Sequence, residues 1–358
     1  MRKNLIQHFI LALLVVISFT TYAQHSNDEH AKSEEKAWGD LSKGERKAEI
    51  KKVINHHLLD DHDFTITHGV SFPLPVILWD NGLQIFMSSK FNHGETLAES
   101  NGNFYKVHHS KIYKTDAEGT ITMDDHHHPT NVKPLDLSIT KNVFVIMLMA
   151  LFMFFIFKGV AKAYKSGPMP KGAGRFLEPL VVFIRDEIAI PNIGKKHYKR
   201  YMNYLLTVFF FIWFLNLLGM TPFGIGVTNN FAVTTALALC TFFITQFTAN
   251  KNYWSHIFWM PGVPKLMRIV LAPIELLGVF IKPFALTIRL YANMTAGHVV
   301  LMSILGLIFV ANSWIAAGPF SVLTLLLSIL ELLVAALQAY IFTMLTALYF
   351  GSAVEEHH

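Results

Sequence analysis

Apolar positions change their rhythm near residue 138. Before it they come in short runs separated by Gly, Pro, Asn and Asp: Phe64–Thr67, Val76–Trp79, Leu83–Met87, Phe104–Val107 and Gly119–Met123. Brief β-rich runs broken by turn formers predict short strands. Residues 24–135 therefore read as a small, mostly β extension, with a charged helical stretch over Glu34–Leu59 ahead of the strands. Beyond residue 138 the runs lengthen into five segments, at about Asn142–Phe157, Tyr201–Met220, Phe231–Thr248, Ile269–Ala311 and Pro319–Phe350. A hydrocarbon core of about 30 Å is crossed by roughly 20 apolar residues of helix. Residues 136–358 thus predict an all-α polytopic membrane domain.

The last two segments exceed that length. At a rise of 1.5 Å per residue the fourth would reach about 65 Å. It either breaks, with Pro273 and Pro283 as kink points, or lies steeply tilted. The fifth is also too long to stand upright, and two such neighbours predict a tilted hairpin that embraces something round or lines a passage. Residues 175–190 are too polar to span. Arg185, Asp186 and Glu187 follow an apolar face there, which predicts a helix lying at the cytoplasmic interface.

Residues 1–23 predict a signal peptide, with Arg2 and Lys3, an apolar stretch from Phe9 to Phe19, and Thr21, Tyr22 and Ala23 before a cleavage point at Gln24. The stretch is short for an uncleaved anchor, so cleavage and an extracytoplasmic extension are expected. Charge supports the same orientation. Ten Lys/Arg lie in 158–200 and three in 249–268, but none in 221–230 or 311–318. Positively charged loops stay in the cytoplasm, which sends the first segment inward and leaves the C-terminus in the cytoplasm.

Composition adds to this picture. The chain is 52% hydrophobic with 30 Phe, and its mean hydropathy is +0.38, values of a membrane protein. The net charge of +5 reflects loops beside spans and predicts no nucleic-acid partner. The single Cys240 excludes an intrachain disulfide and reads as a small buried side chain. His126–His128 beside Asp124 and Asp125, and the pairs His56–His57 and His108–His109, lie in loop-like sequence and predict no defined metal site. No Gly-x4-Gly-Lys-Ser/Thr loop occurs, so no nucleotide or other cofactor is expected on this chain.

The candidate chemistry lies in the last two segments. Glu275, Lys282, Arg289, Asn293 and His298 interrupt the fourth, and Glu331 and Gln338 the fifth. A guanidinium stays charged, and at the centre of a bilayer helix it costs roughly 2.5–3.5 kcal/mol on insertion scales. Arg289 and Asn293 share a face at i, i+4, and Glu331 and Gln338 share one at i, i+7. With the segments antiparallel, pairing Arg289 with Gln338 puts His298 near the level of Glu331. Nine residues turn a helix by about two and a half rotations, so Arg289 and His298 point to opposite sides. Both serve one system if Arg289 faces a partner and His298 an inner cavity, or if the helix twists locally. Lys282 is expected to snorkel to the cytoplasmic interface, with Glu275 as its partner or a helix-start residue. Asn293 alone also fits interhelical glue. Arg289, His298 and Glu331 together mark a proton or ion path.

These residues resemble a known family. RLYANMTAGH at 289–298, LQAYIFTMLT at 337–346, FLNLLGMTP at 214–222 and RDEIAIPN at 185–192 resemble subunit a of F-type ATP synthases, and the likeness covers about residues 140–356. In some members the positions of His298 and Glu331 hold Glu and His. Here the two are exchanged together, which keeps one acid and one imidazole. Gly219 stands where some members carry an acid, which shifts weight to Asn216, His298 and Glu331.

The resemblance implies proton translocation through two half-channels against a ring of c subunits, coupled to rotation and ATP synthesis, with subunit b as a stator partner and membrane lipid around the chain. It implies that Arg289 faces the ring carboxylate and separates the half-channels. His298 and Glu331 would relay protons, and Gln338, Asn293 and Asn216 would support the polar path. Nucleotide chemistry belongs elsewhere in such a complex. A secondary transporter would need repeated halves, which the chain lacks, and a structural scaffold would not need Arg289. Protons are the default coupling ion, and sodium is left open.

Overall fold

The computed structural model describes residues 44–45, 60–67, 70–94, 96–124, 128–165, 172, 174–221, 226–259, 264–311 and 314–355. The signal peptide, most of the Glu34–Leu59 helix, His56–His57 and Asp125–His127 lie outside the described residues. Met1–Glu49 forms one unit, in which Gly44 and Glu45 are helical, and Ile50–His358 forms a second.

In the second unit the described residues of the extension form three small antiparallel sheets. β1 (Asp63–Thr67) pairs with β2 (Val70–Pro73). β3 (Pro75–Trp79) lies between β4 (Leu83–Met87) and β8 (Leu135–Asp136). β5 (Ala98–Ser100), β6 (Asn103–His108) and β7 (Lys111–Thr115) form a meander. The turns use residues that tolerate positive φ: Asn101 and Gly102, at 49° and 78°, join β5 to β6. Val76, Leu78, Phe86, Phe91, Ala98, Tyr105 and Ile112 pack between the sheets as one core. Asp80 accepts from Tyr105 Oη at 3.1 Å and from Lys114 Nζ at 2.7 Å.

The expected strand at Gly119–Met123 is not formed. Gly119 takes φ of 74°, and the Asp116 carboxylate accepts from the Thr120 amide at 2.8 Å. These local bonds close a turn, and among the described residues an isolated bridge from Met123 to Pro129 is what remains of pairing there.

The extension is tied to the helical part through Asp60. Its carboxylate accepts from the Asn142 amide at 3.2 Å, from Thr140 Oγ1 at 3.0 Å and from Asn230 Nδ2 at 3.2 Å. Phe64 packs edge-on against Phe144 at 5.4 Å and joins the cluster of Val145, Met149, Leu215 and Val227.

Among the described residues, five helices are long and apolar enough to cross a membrane. They are α1 (Lys141–Lys165), α4 (Tyr198–Gly219), α5 (Phe231–Thr248), α7 (Lys265–Ala311) and α8 (Trp314–Val354). α7 does not break: Pro273 and Pro283 both lie inside one continuous helix of 47 residues. Thr287 Oγ1 donates to the Pro283 carbonyl at 3.0 Å within it.

Residues 174–193 are helical throughout. α2 (Gly174–Phe183) and α3 (Ile190–Ile193) flank a π-helical turn, Ile184–Ala189. This stretch packs against α4 and α8. A Cβ on Gly351 of α8 would collide with the Asn192 carbonyl, so glycine permits the backbone approach there.

α6 (Lys251–Phe258) adds an amphipathic helix in the loop before α7, burying Tyr253 and Ile257. Cys240 is exposed, against the expectation of burial, because α5 turns Thr234, Ala238, Thr241 and Thr245 inward and Cys240 lies off that stripe.

Candidate functional site

α7 and α8 run antiparallel in a register set by three contacts. Asn293 Nδ2 donates to Gln338 Oε1 at 3.0 Å. Lys282 Nζ lies 5.6 Å from the Tyr349 ring centroid. A Cβ on Gly297 would stand 3.5 Å from Glu331 Oε1. This register puts Asn293, not Arg289, opposite Gln338, one turn from the expected pairing. It leaves Gly297, and next to it His298, at the level of Glu331.

Helix periodicity divides the site into two faces. On α7, Leu290, Met294 and His298 follow each other at i, i+4 and are buried, with His298 at 7% exposure. On α8, Glu331 (6%), Ala335 (0%), Gln338 (2%) and Ala339 (0%) form the buried face. The small alanines let α4 approach closely, and Asn216 of α4 donates through Nδ2 to the Ala335 carbonyl at 3.3 Å. Asn216 is fully buried, and its Oδ1 accepts no hydrogen bond among the described residues. His298, Glu331, Gln338 and Asn216 thus lie along one interior seam between α4, α7 and α8.

Arg289 is on the opposite face. It is exposed, as is Asn293, and Phe284 (62%) and Ile288 (40%) are exposed beside it. It forms no hydrogen bond or ion pair among the described residues. The opposed directions of Arg289 and His298 therefore need no local twist.

At the other end of the register, Asn252, His256, Glu275, Lys282, Ser352 and Glu355 line a cleft of about 150 Å³. Lys282 faces Tyr349 there rather than forming an ion pair with Glu275. The sequence reading did not resolve this cleft, because four of its nine lining residues, Asn252, Tyr253, His256 and Ile257, come from α6. The available signal was the i, i+4 spacing of Tyr253 and Ile257, with Asn252 and His256 likewise one turn apart. Among the described residues no group of three His, Cys, Asp or Glu could hold a metal ion.

Fold and site together define a class: a multi-pass membrane protein with an ionisable set built into its last two helices. Residues 143–351 match the ATP synthase A chain family, and the chain belongs to it, as a subunit a of the F-type. It is similar to ATP synthase subunit a of Myxococcus xanthus, 46% identical over 230 residues covering 63% of this chain and 75% of that one. It is also similar to ATP synthase subunit a of Chloroherpeton thalassium, at 44% over 62% of this chain and 69% of that one. A third, ATP synthase subunit a of Anaeromyxobacter dehalogenans, is 44% identical, with 62% and 60% covered. Residues 53–137 match a domain of unknown function.

Proposed function

We propose that this chain is the proton-conducting stator subunit of an F-type ATP synthase, lodged in the bacterial inner membrane. The observation that carries the proposal is the position of Arg289, a fixed charge exposed on a helix surface beside apolar Phe284 and Ile288. A guanidinium facing lipid without a counter-charge is costly, so it calls for a partner outside the chain. A rotating c-ring whose subunits each carry one intramembrane carboxylate supplies that partner. Arg289 attracts each arriving carboxylate, keeps it ionised and blocks a direct leak between the two half-channels.

The interior seam serves as the outer half-channel. His298 and Glu331 relay protons, Asn216 supports the path, and Asn293 with Gln338 holds the hairpin in register. The cleft bounded by Glu275, Lys282 and Glu355 fits the cytoplasmic exit. In this reading α7 and α8 are a tilted hairpin against the ring, and α2 with the π-helical turn and α3 lies at the cytoplasmic interface. The signal peptide is removed, the extension is extracytoplasmic, and subunit b completes the stator. Each proton supplies about 2.3 kcal/mol per 100 mV, and ATP is made by other subunits.

The test is Arg289→Ala in the whole complex, read as proton pumping into vesicles with and without sodium. The expected outcome is an assembled complex that neither pumps nor makes ATP. Full coupling in that variant would refute the proposal.

A further inference from the structure

The outward face of the β4–β3–β8 sheet is apolar where a solvated sheet would be polar. An antiparallel sheet with one face on a core normally alternates apolar inward and polar outward. Here Val76, Leu78 and Phe86 point inward and are buried, yet the opposite face is also apolar. The pairs Ile77 with Ile85, Trp79 with Leu83, and Trp79 with Leu135 lie on it in register. Ile85 is 61% exposed, Leu135 61% and Trp79 58%. With Leu83, Met87 and Leu137 the patch is on the order of 600 Å², the upper end for a soluble monomer's largest patch.

The connection to the membrane names the occupant. The β8 ladder continues past Asp136, with the Leu137 amide donating to the Ile77 carbonyl at 2.9 Å and the Ile139 amide to the Pro75 carbonyl at 3.1 Å. α1, a candidate span, begins at Lys141, so no flexible linker separates sheet from span. Phe72 stacks on Phe144 of the first helical turn at 6.1 Å. Leu135 is at most about 20 Å of extended chain from the start of the span. α1 itself exposes Val143, Met147, Leu151 and Phe154. Trp79 suits the headgroup level, and exposed Lys133 beside Leu135 suits lipid phosphate.

We propose that this sheet face rests on the outer leaflet of the membrane and that lipid, not protein, covers it. The extension is then a platform seated on the bilayer beside the first span, and neither a free domain nor a docking site for another chain.

The test uses the full chain in its complex, with Cys240→Ala and a single Ile85→Cys carrying an environment-sensitive fluorophore. The complex is placed in vesicles of phosphatidylethanolamine and phosphatidylglycerol, with or without doxyl-labelled phospholipid, and with iodide on both sides. Leu83→Cys provides a second report on the same face, and Lys111→Cys, on β7 of the other sheet, is the reference. Labels at 83 and 85 are expected to be quenched severalfold more by doxyl lipid than the label at 111, and severalfold less by iodide. Iodide quenching equal to that at 111 would overturn the proposal, and so would shielding from both quenchers, which would mean that protein covers the face.

Discussion

Asn293 of α7 and Gln338 of α8 are joined by an amide-to-amide hydrogen bond of 3.0 Å, a polar fastening between two largely apolar helices. Its strength is bounded: interhelical bonds of this kind average about 0.6 kcal/mol and reach about 1.7 kcal/mol in double-mutant cycles. Asn293→Ala, Gln338→Ala and the double variant should therefore show a coupling within that range when denaturation of the complex in detergent is followed. A coupling of zero would mean that packing alone sets the register.

His298 and Glu331 lie at one level of the interior seam. If they relay protons, His298→Ala and Glu331→Ala should each lower proton conduction by about 10²-fold or more. The double exchange, His298→Glu with Glu331→His, keeps one acid and one imidazole and should recover most of the rate. Passive proton flux through the membrane sector in vesicles measures all three. An exchange variant as inactive as the single ones would show that position matters, and not merely the pair.

Asp60 meets three partners at the base of the extension. Asp60→Ala would leave the Asn142 amide and the Asn230 carboxamide without their acceptor. The expected cost is about 1–3 kcal/mol, concentrated in the extension. Limited proteolysis should cut residues 60–136 sooner in this variant while the helices stay protected.

Acid and alkali should loosen the extension through different groups. The Lys114 ammonium, followed by the Tyr105 hydroxyl, holds the Asp80 carboxyl below its usual 3.8 despite burial. A depressed carboxyl contributes stability that is present above pH 3.8 and lost as pH falls through its folded value. Burial, then Asp80, pushes the Tyr105 phenol up to about 12. That contribution is intact below pH 10 and lost as pH rises towards about 12. Tyrosinate absorbance should place Tyr105 in that interval, and Tyr105→Phe should remove the alkaline limb of the stability profile.

The five spans were legible because each is a long apolar run whose composition settles its environment. The faces of the hairpin were legible in part. Helical spacing separates Arg289 from His298, but the register between two helices depends on which side chains meet. The bond from Asn293 to Gln338 is a tertiary fact with no local signal. Continuity of α7 through Pro273 and Pro283 was open for the same reason, since a proline disfavours a helix locally while packing along its length can hold it straight. In the extension, Val76–Trp79 and Leu83–Met87 were read correctly from their β-rich runs. Gly119–Met123 has similar residues, but the Asp116 carboxylate turns the chain there. Cys240 was misjudged because burial on α5 follows one stripe rather than hydrophobicity.

The carboxylate of Asp60 binds partners up to 170 residues downstream. The strands nearest it can reach their final anchorage only after the start of α1 and Asn230, at the head of α5, have been made and brought beside them. Folding therefore has an order written into it: the strands, made early, are among the last parts to be locked down, and a fault in placing either later element would leave their base unsecured.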